Sequence, residues 1–126
     1  MGGACGCDPI ACGPGYKTVP KGCCWECVID VAACEQQRQA YVDFRAETIS
    51  SQSTNGCMVD ADCGLFEDRT GCSPTCPFVI PNSARRGIDD RLYSFAQMAC
   101  NRDCPTPSVP PCVPPSPPVC EAGRCL

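Results

Sequence analysis

A chain of 126 residues with 16 cysteines, 14 prolines and 11 glycines, but one Trp, four Phe and three Tyr, has too little apolar area for a conventional core and an excess of the residue that replaces one. An even number of thiols at this density reads as a disulfide framework and places the protein outside the reducing cytosol. The formal charge of −4, with 10 basic and 14 acidic side chains spread along the chain, excludes the basic face of a nucleic-acid binder, and no stretch approaches the roughly 18 apolar residues of a transmembrane helix.

In chain order, Met1-Gly2-Gly3 is not an export leader, so export is expected to use a signal absent from this stretch. Gly3-Ala4-Cys5 is similar to the small-small-Cys end of a lipoprotein signal, and a lipid on Cys5 would leave an odd number of thiols. Residues 5–29 read as a knotted lobe with Cys5, Cys7, Cys12, Cys23, Cys24 and Cys27, turning at Gly13-Pro14-Gly15. Residues 16–19, ahead of Pro20, and 24–29 are candidate strands of a small hairpin.

Asp30 is placed to cap a helix that fills the rest of 30–50, a stretch free of Gly and Pro. Cys34, Tyr41 and Phe44 share its narrow apolar face, so Cys34 is the expected tether. A polar linker over 51–56 leads to a second lobe, 57–126, which carries Cys57, Cys63, Cys72, Cys76, Cys100, Cys104, Cys112, Cys120 and Cys125. Ile88, Leu92, Phe95 and Ala99 predict a helix over 83–100 capped by Asn82 or Ser83, with Gly87 favouring a start as late as Ile88. The proline-rich arm that follows should be extended polyproline II, laid across the lobe by Cys112, Cys120 and Cys125. The expected fold class is a small disulfide-rich protein of two helices and short β-hairpins, with little regular sheet. Seven cysteines precede the linker and nine follow it, so complete pairing sends an odd number of bridges across; which cysteines cross is open at this level.

The spacing Cys7-x4-Cys12-x10-Cys23-Cys24-x2-Cys27, with Pro14-Gly15-Tyr16 after Cys12 and Pro20-Lys21-Gly22 before the double cysteine, resembles the second half of a von Willebrand factor type C domain over about 25 residues. That domain's first half has no counterpart here. The resemblance implies pairing of Cys7 with Cys24 and Cys12 with Cys27, which leaves Cys5 for Cys23 and makes Cys34 the cysteine that crosses to the second lobe. It also implies an extracellular module that binds partners. The stretch from Val59-Asp-Ala-Asp-Cys63 through Cys100-Asn-x2-Cys104 to Pro118-Val-Cys120-Glu-Ala-Gly-Arg-Cys125 resembles uncharacterised cysteine-rich modules of myxobacterial secreted proteins and lipoproteins, which implies export in a bacterium and no particular activity.

The chain has no histidine, which removes the usual general base, the Ser-His and Cys-His nucleophile pairs and every zinc-histidine motif. Asp60 with Asp62, and Asp89 with Asp90, could serve as acid/base pairs but read better as turn and helix caps. Cys24-Trp25-Glu26-Cys27 lacks the βαβ context of a redox pair and reads as structural, with Trp25 covering local bridges. Asp60-x-Asp62-x-Gly64 lacks the ligand order of a calcium loop. No catalytic residue, metal or cofactor is expected.

The leading expectation is a non-catalytic binding, adhesion or structural module, secreted, extracellular or in the cell envelope, with a protein, matrix or envelope component as partner. Tyr16, Arg85, Arg86 and Tyr93 are its contact candidates, because aromatic residues and Arg dominate binding hot spots. One alternative is a secreted protease inhibitor presenting Pro81-Asn-Ser-Ala-Arg-Arg86 as an exposed loop. A second is a cysteine-ligated metal protein, for which Cys72-x3-Cys76 with Cys100-x3-Cys104 would be a pair of ligand knuckles.

Overall fold

The computed structural model describes residues 12–126 apart from 14, 55, 102, 107, 108, 110 and 115. Gly22, at φ 58°, opens a tight turn that pairs Tyr16–Lys21 (β1) antiparallel with Cys24–Ile29 (β2), Tyr16 opposite Ile29 and Lys21 opposite Cys24. The strand runs through Pro20 and not merely up to it. A two-stranded sheet consists of edges, where a missing N–H can face away from the ladder. Cys12 is bridged to Cys27, the pairing the type C resemblance implies. Cys23 and Cys24 are also disulfide-bonded, but the expected Cys7–Cys24 and Cys5–Cys23 pairs lie outside the described residues.

Asp30 stands in extended conformation and its carboxylate accepts the N–H groups of Ala32 and Ala33 at 3.1 and 3.3 Å, starting helix α1 at Val31–Gln52. The helix is longer than expected and takes Ser51 and Gln52 from the polar linker. Ser51 donates its hydroxyl to the Thr48 carbonyl at 3.2 Å and so satisfies one of the last-turn acceptors. Its buried face carries Cys34 and Tyr41 but also Arg45 and Thr48.

Cys63–Phe66 (β3) and Phe78–Pro81 (β4) form a second hairpin, Phe66 opposite Phe78. A 3-10 turn at Asn82–Ala84 then feeds helix α2, Arg85–Ala99. Neither Asn82 nor Ser83 is its N-cap, because the 3-10 turn occupies that place; the Asn82 amide instead donates to the Ala61 carbonyl at 3.1 Å. Gly87 does not delay the helix. It lies inside the first turns, where a Cβ would come within 2.5 Å of the Gln52 side chain, so its bareness lets the end of α1 approach α2. Cys120–Glu121 (β5) and Arg124–Cys125 (β6) close a third hairpin through Ala122 and Gly123 at φ 52° and 79°.

The core lies where α1 and α2 meet the β3–β4 hairpin: Tyr41, Phe66, Ile80, Ala84, Ile88, Leu92 and Ala96 are buried, and Phe44 stacks on Phe95 at 4.3 Å. The stripe read for α2 holds at Ile88 and Leu92, but Ala96 is buried where Ala99 is only half-buried. Bridges complete what so small a core leaves undone. Cys34, buried on α1, joins Cys104 and is the crossing bridge; Cys72 joins Cys100, and Cys76 joins Cys112 in the proline arm. Cys57–Cys120 and Cys63–Cys125 tie the last hairpin down. No cysteine among the described residues is free, and none of their helices is long and apolar enough to cross a membrane. The protein is thus a small disulfide-rich fold, with two helices and three two-stranded hairpins among the described residues.

Candidate functional site

The α1–α2 pair leaves an open cleft of about 960 Å³ on one side. Its walls are helix faces carrying Gln37 and Arg38 on α1 and Asp89, Tyr93 and Gln97 on α2, with Arg69 at the near loop. The Cys34–Cys104 and Cys72–Cys100 bridges both line it, so the walls are cross-linked to the segments that close the cleft. Arg38 donates to Glu35 at 2.6 Å and to the Pro105 carbonyl at 3.1 Å, fastening the stretch after Cys104 to α1.

A buried polar cluster holds the loop that brings Arg69. Asp68 lies against Arg45 at 2.8 Å and accepts the Tyr41 hydroxyl at 2.6 Å, while its other oxygen accepts the N–H and hydroxyl of Thr70 at 3.0 and 2.7 Å. Arg45 also donates to the Ser73 carbonyl at 2.6 Å and its guanidinium lies 5.4 Å from the ring centroids of both Tyr41 and Phe78. Burial pushes the Asp68 carboxyl upward, but the hydrogen bonds from Tyr41, Arg45 and Thr70 outweigh it and hold the group below the usual carboxylate range. Burial first, and then the bond to Asp68, pushes the Tyr41 phenol well above its ordinary value. Both groups therefore keep one protonation state at neutral pH and act as fasteners, with no proton to exchange.

Arg69 itself is 86% exposed, with Glu67 at 3.9 Å as a loose partner, so its guanidinium stands in solvent at the rim. Tyr93 is 59% exposed. The site thus offers an exposed aromatic ring, with cations and carboxylate at the rim.

Of the four contact candidates, the cleft takes only Tyr93. Tyr16 is half-buried and donates its hydroxyl to Asp103, a bond that raises its pKa and staples β1 to the segment after α2. Arg85 and Arg86 are exposed in the first turn of α2, Arg85 reaching the Asn82 side-chain oxygen at 3.3 Å. Residues 81–86 are accordingly not an extended loop but a strand end, a 3-10 turn and a helix start. The four cysteines of the supposed knuckles do not converge either, since Cys76 and Cys104 are bridged away to Cys112 and Cys34. Asp62 closes its own turn by accepting the N–H groups of Met58 and Val59, which hold its carboxyl below the usual range, whereas Asp60 is not a cap but accepts the Cys120 N–H at 2.7 Å across the fold.

Sequence reasoning missed Arg38, Arg69 and Gln97, ordinary solvated residues until the fold sets them around one space. The Arg45–Asp68 pair had a faint signal: Arg45 falls four residues after Tyr41 on the same helical face, and Asp68-Arg-Thr70 is a common side-chain-to-backbone turn pattern. No protein-family model matches the chain, and no curated protein or solved structure is similar to it.

Proposed function

We propose that this protein is an exported, non-catalytic binding module of the extracellular space or cell envelope, and that it receives a segment of a partner protein in the α1–α2 cleft. The observation that carries this reading is the cleft itself: about 960 Å³ of mixed-polarity space whose walls are cross-linked by two bridges and whose rim presents the exposed Tyr93 ring. A site held rigid before binding loses little conformational entropy on association, and a ring such as Tyr93 contributes large contact area with few rotamers. Export is supported by the described cysteines being bridged throughout, a state that persists in oxidising compartments. The inhibitor alternative is weakened, because a protease cleft takes its inhibitor loop in extended form and Arg85 and Arg86 are helical.

A displayed random-peptide library selected on the immobilised oxidised protein tests the proposal. Selected peptides should shift the amide resonances of Arg38, Tyr93 and Gln97 and should lose about tenfold in affinity, about 1.4 kcal/mol, on Tyr93→Ala. Peptides that perturb only residues outside the cleft, or bind the Tyr93→Ala protein equally well, would overturn it.

A further inference from the structure

Outside the cleft, two short turns face each other, and each carries two cysteines. In the first, Cys57 and Cys63 flank the 3-10 turn Asp60–Asp62, shaped by Asp62 accepting the N–H groups of Met58 and Val59 at 2.9 and 3.1 Å. In the second, Cys120 and Cys125 are direct cross-strand partners in the β5–β6 hairpin. Its turn residues Ala122 and Gly123 have φ of 52° and 79°, the paired left-handed geometry that suits the twist of a two-residue hairpin. Both turns therefore carry local hydrogen bonds and favourable dihedral geometry in addition to the bridges that join them.

Hydrogen bonds accompany the bridges where the turns meet. The Cys57 N–H donates to the Gly123 carbonyl at 3.1 Å and the Cys120 N–H to Asp60 at 2.7 Å. Gly56 makes the approach possible, since a Cβ there would stand 2.1 Å from that same carbonyl. The bridges then run only from turn to turn, Cys57 to Cys120 and Cys63 to Cys125. The Sγ atoms of Cys57, Cys63 and Cys125 lie within 4.8 Å of one another, and that of Cys120 is bonded to Cys57 Sγ. Among the described residues this is the one such convergence of three or more metal-donor side chains.

A tetrahedral zinc ion holds thiolates at about 2.3 Å, which puts its sulfurs about 3.8 Å apart, and structural zinc sites characteristically join two short cysteine turns. Cys120-x4-Cys125 has that spacing and Cys57-x5-Cys63 is one residue longer. We propose that the thiol form of this chain, before its cysteines are oxidised, binds one Zn²⁺ on Cys57, Cys63, Cys120 and Cys125, in the place the two bridges later occupy. Binding replaces four S–H bonds by four Zn–S bonds and releases four protons; the tetrathiolate site carries a net charge of −2 and no electron moves. One ion links the same two turns that two bridges link, so this end of the second lobe closes around the same backbone contacts in either state. Oxidation to the bridged form withdraws four electrons, two for each bridge, to a disulfide-bearing oxidant and frees the ion.

The test uses the full chain reduced with a phosphine in the absence of oxygen. Co²⁺ alone is titrated as the spectroscopic probe and then displaced with Zn²⁺, and alkylation of each cysteine is mapped with and without Zn²⁺. The expected result is a single tight equivalent of Co²⁺ with the strong visible bands of a tetrahedral thiolate set, and protection by Zn²⁺ of Cys57, Cys63, Cys120 and Cys125 alone. Cys63→Ser with Cys125→Ser should abolish that equivalent, whereas Cys76→Ser with Cys112→Ser should retain it. Several equivalents, protection spread evenly over the cysteines or absent, or a tight site surviving Cys63→Ser with Cys125→Ser would overturn the proposal.

Discussion

Arg45 on α1 and Asp68 in the loop after β3 form an ion pair at 2.8 Å with side chains only 6% and 1% exposed. A charge removed from water is tolerated only when its partner and hydrogen bonds replace the lost solvation, and here Tyr41, Thr70 and Ser73 complete the set. The pair fastens the loop of Arg69 to the helix of Arg38 and so sets one side of the cleft.

Asp68→Asn should therefore destabilise the oxidised protein by about 3–5 kcal/mol, since it leaves Arg45 buried without a counter-charge. Arg45→Met combined with Asp68→Asn should recover most of that loss, because the uncompensated charge is gone. Urea unfolding of the three proteins checks both; equal loss in the single and double variants would show that the pair is not what holds the loop.

Acid should reveal the same pair. The Asp68 carboxyl is held below its ordinary 3.8 in the folded chain, so the unfolded state takes up its proton first as pH falls. The stability it contributes is complete above about pH 5 and is lost as pH drops through the unfolded value toward the folded one. Thermal melting followed from pH 7 to pH 2 should decline below about pH 4, and Asp68→Asn should flatten that decline. Added salt should change it little, because a buried pair is poorly screened.

The Cys34–Cys104 bridge closes a loop with a sequence separation of 70. Replacing both cysteines with alanine should cost about 4 kcal/mol on the loop-entropy estimate, and it should loosen the cleft at the end where Arg38 meets Pro105. Amide exchange in α1 and residues 103–106 should accelerate more than in β3 and β4. Uniform acceleration throughout would argue that the bridge contributes only global stability.

Gly56 and Gly71 make a matched test of close approach. Both have positive φ, 62° and 75°, but only Gly56 has a backbone atom in the way of a Cβ, the Gly123 carbonyl at 2.1 Å, while Gly71 has nothing within 4 Å. Alanine at Gly71 should cost about 1 kcal/mol of backbone strain alone. At Gly56 it should cost visibly more and separate the turn at Cys57 from the β5–β6 hairpin, which thermal melts and Cys57 amide exchange would register.

Much of the architecture was legible because local chemistry dictates it. Asp30 before a Gly- and Pro-free run marks a helix start, and that helix begins at Val31. The β-branched and aromatic run at 16–19 and the stretch 24–29 mark the strands of a hairpin, and complete cysteine pairing demands a bridge across the linker, which Cys34–Cys104 supplies. The ends of elements were less legible: α1 runs to Gln52 and α2 starts at Arg85, because last-turn hydrogen bonds and a preceding 3-10 turn are set by what the chain meets next.

By itself, then, the sequence determined a stapled, histidine-free fold with two helices, a thin core and a compulsory crossing bridge; composition, capping residues and parity act locally or by counting, and need no knowledge of contacts. Only the tertiary structure decided which cysteines meet, that Tyr16 is a staple while Tyr93 faces a cleft, and that Arg45 is buried with Asp68 across 23 residues. Those outcomes depend on which surfaces approach in space. A guanidinium or a thiol has no preference along the chain for the partner that will satisfy it, so its role is settled when packing removes it from water.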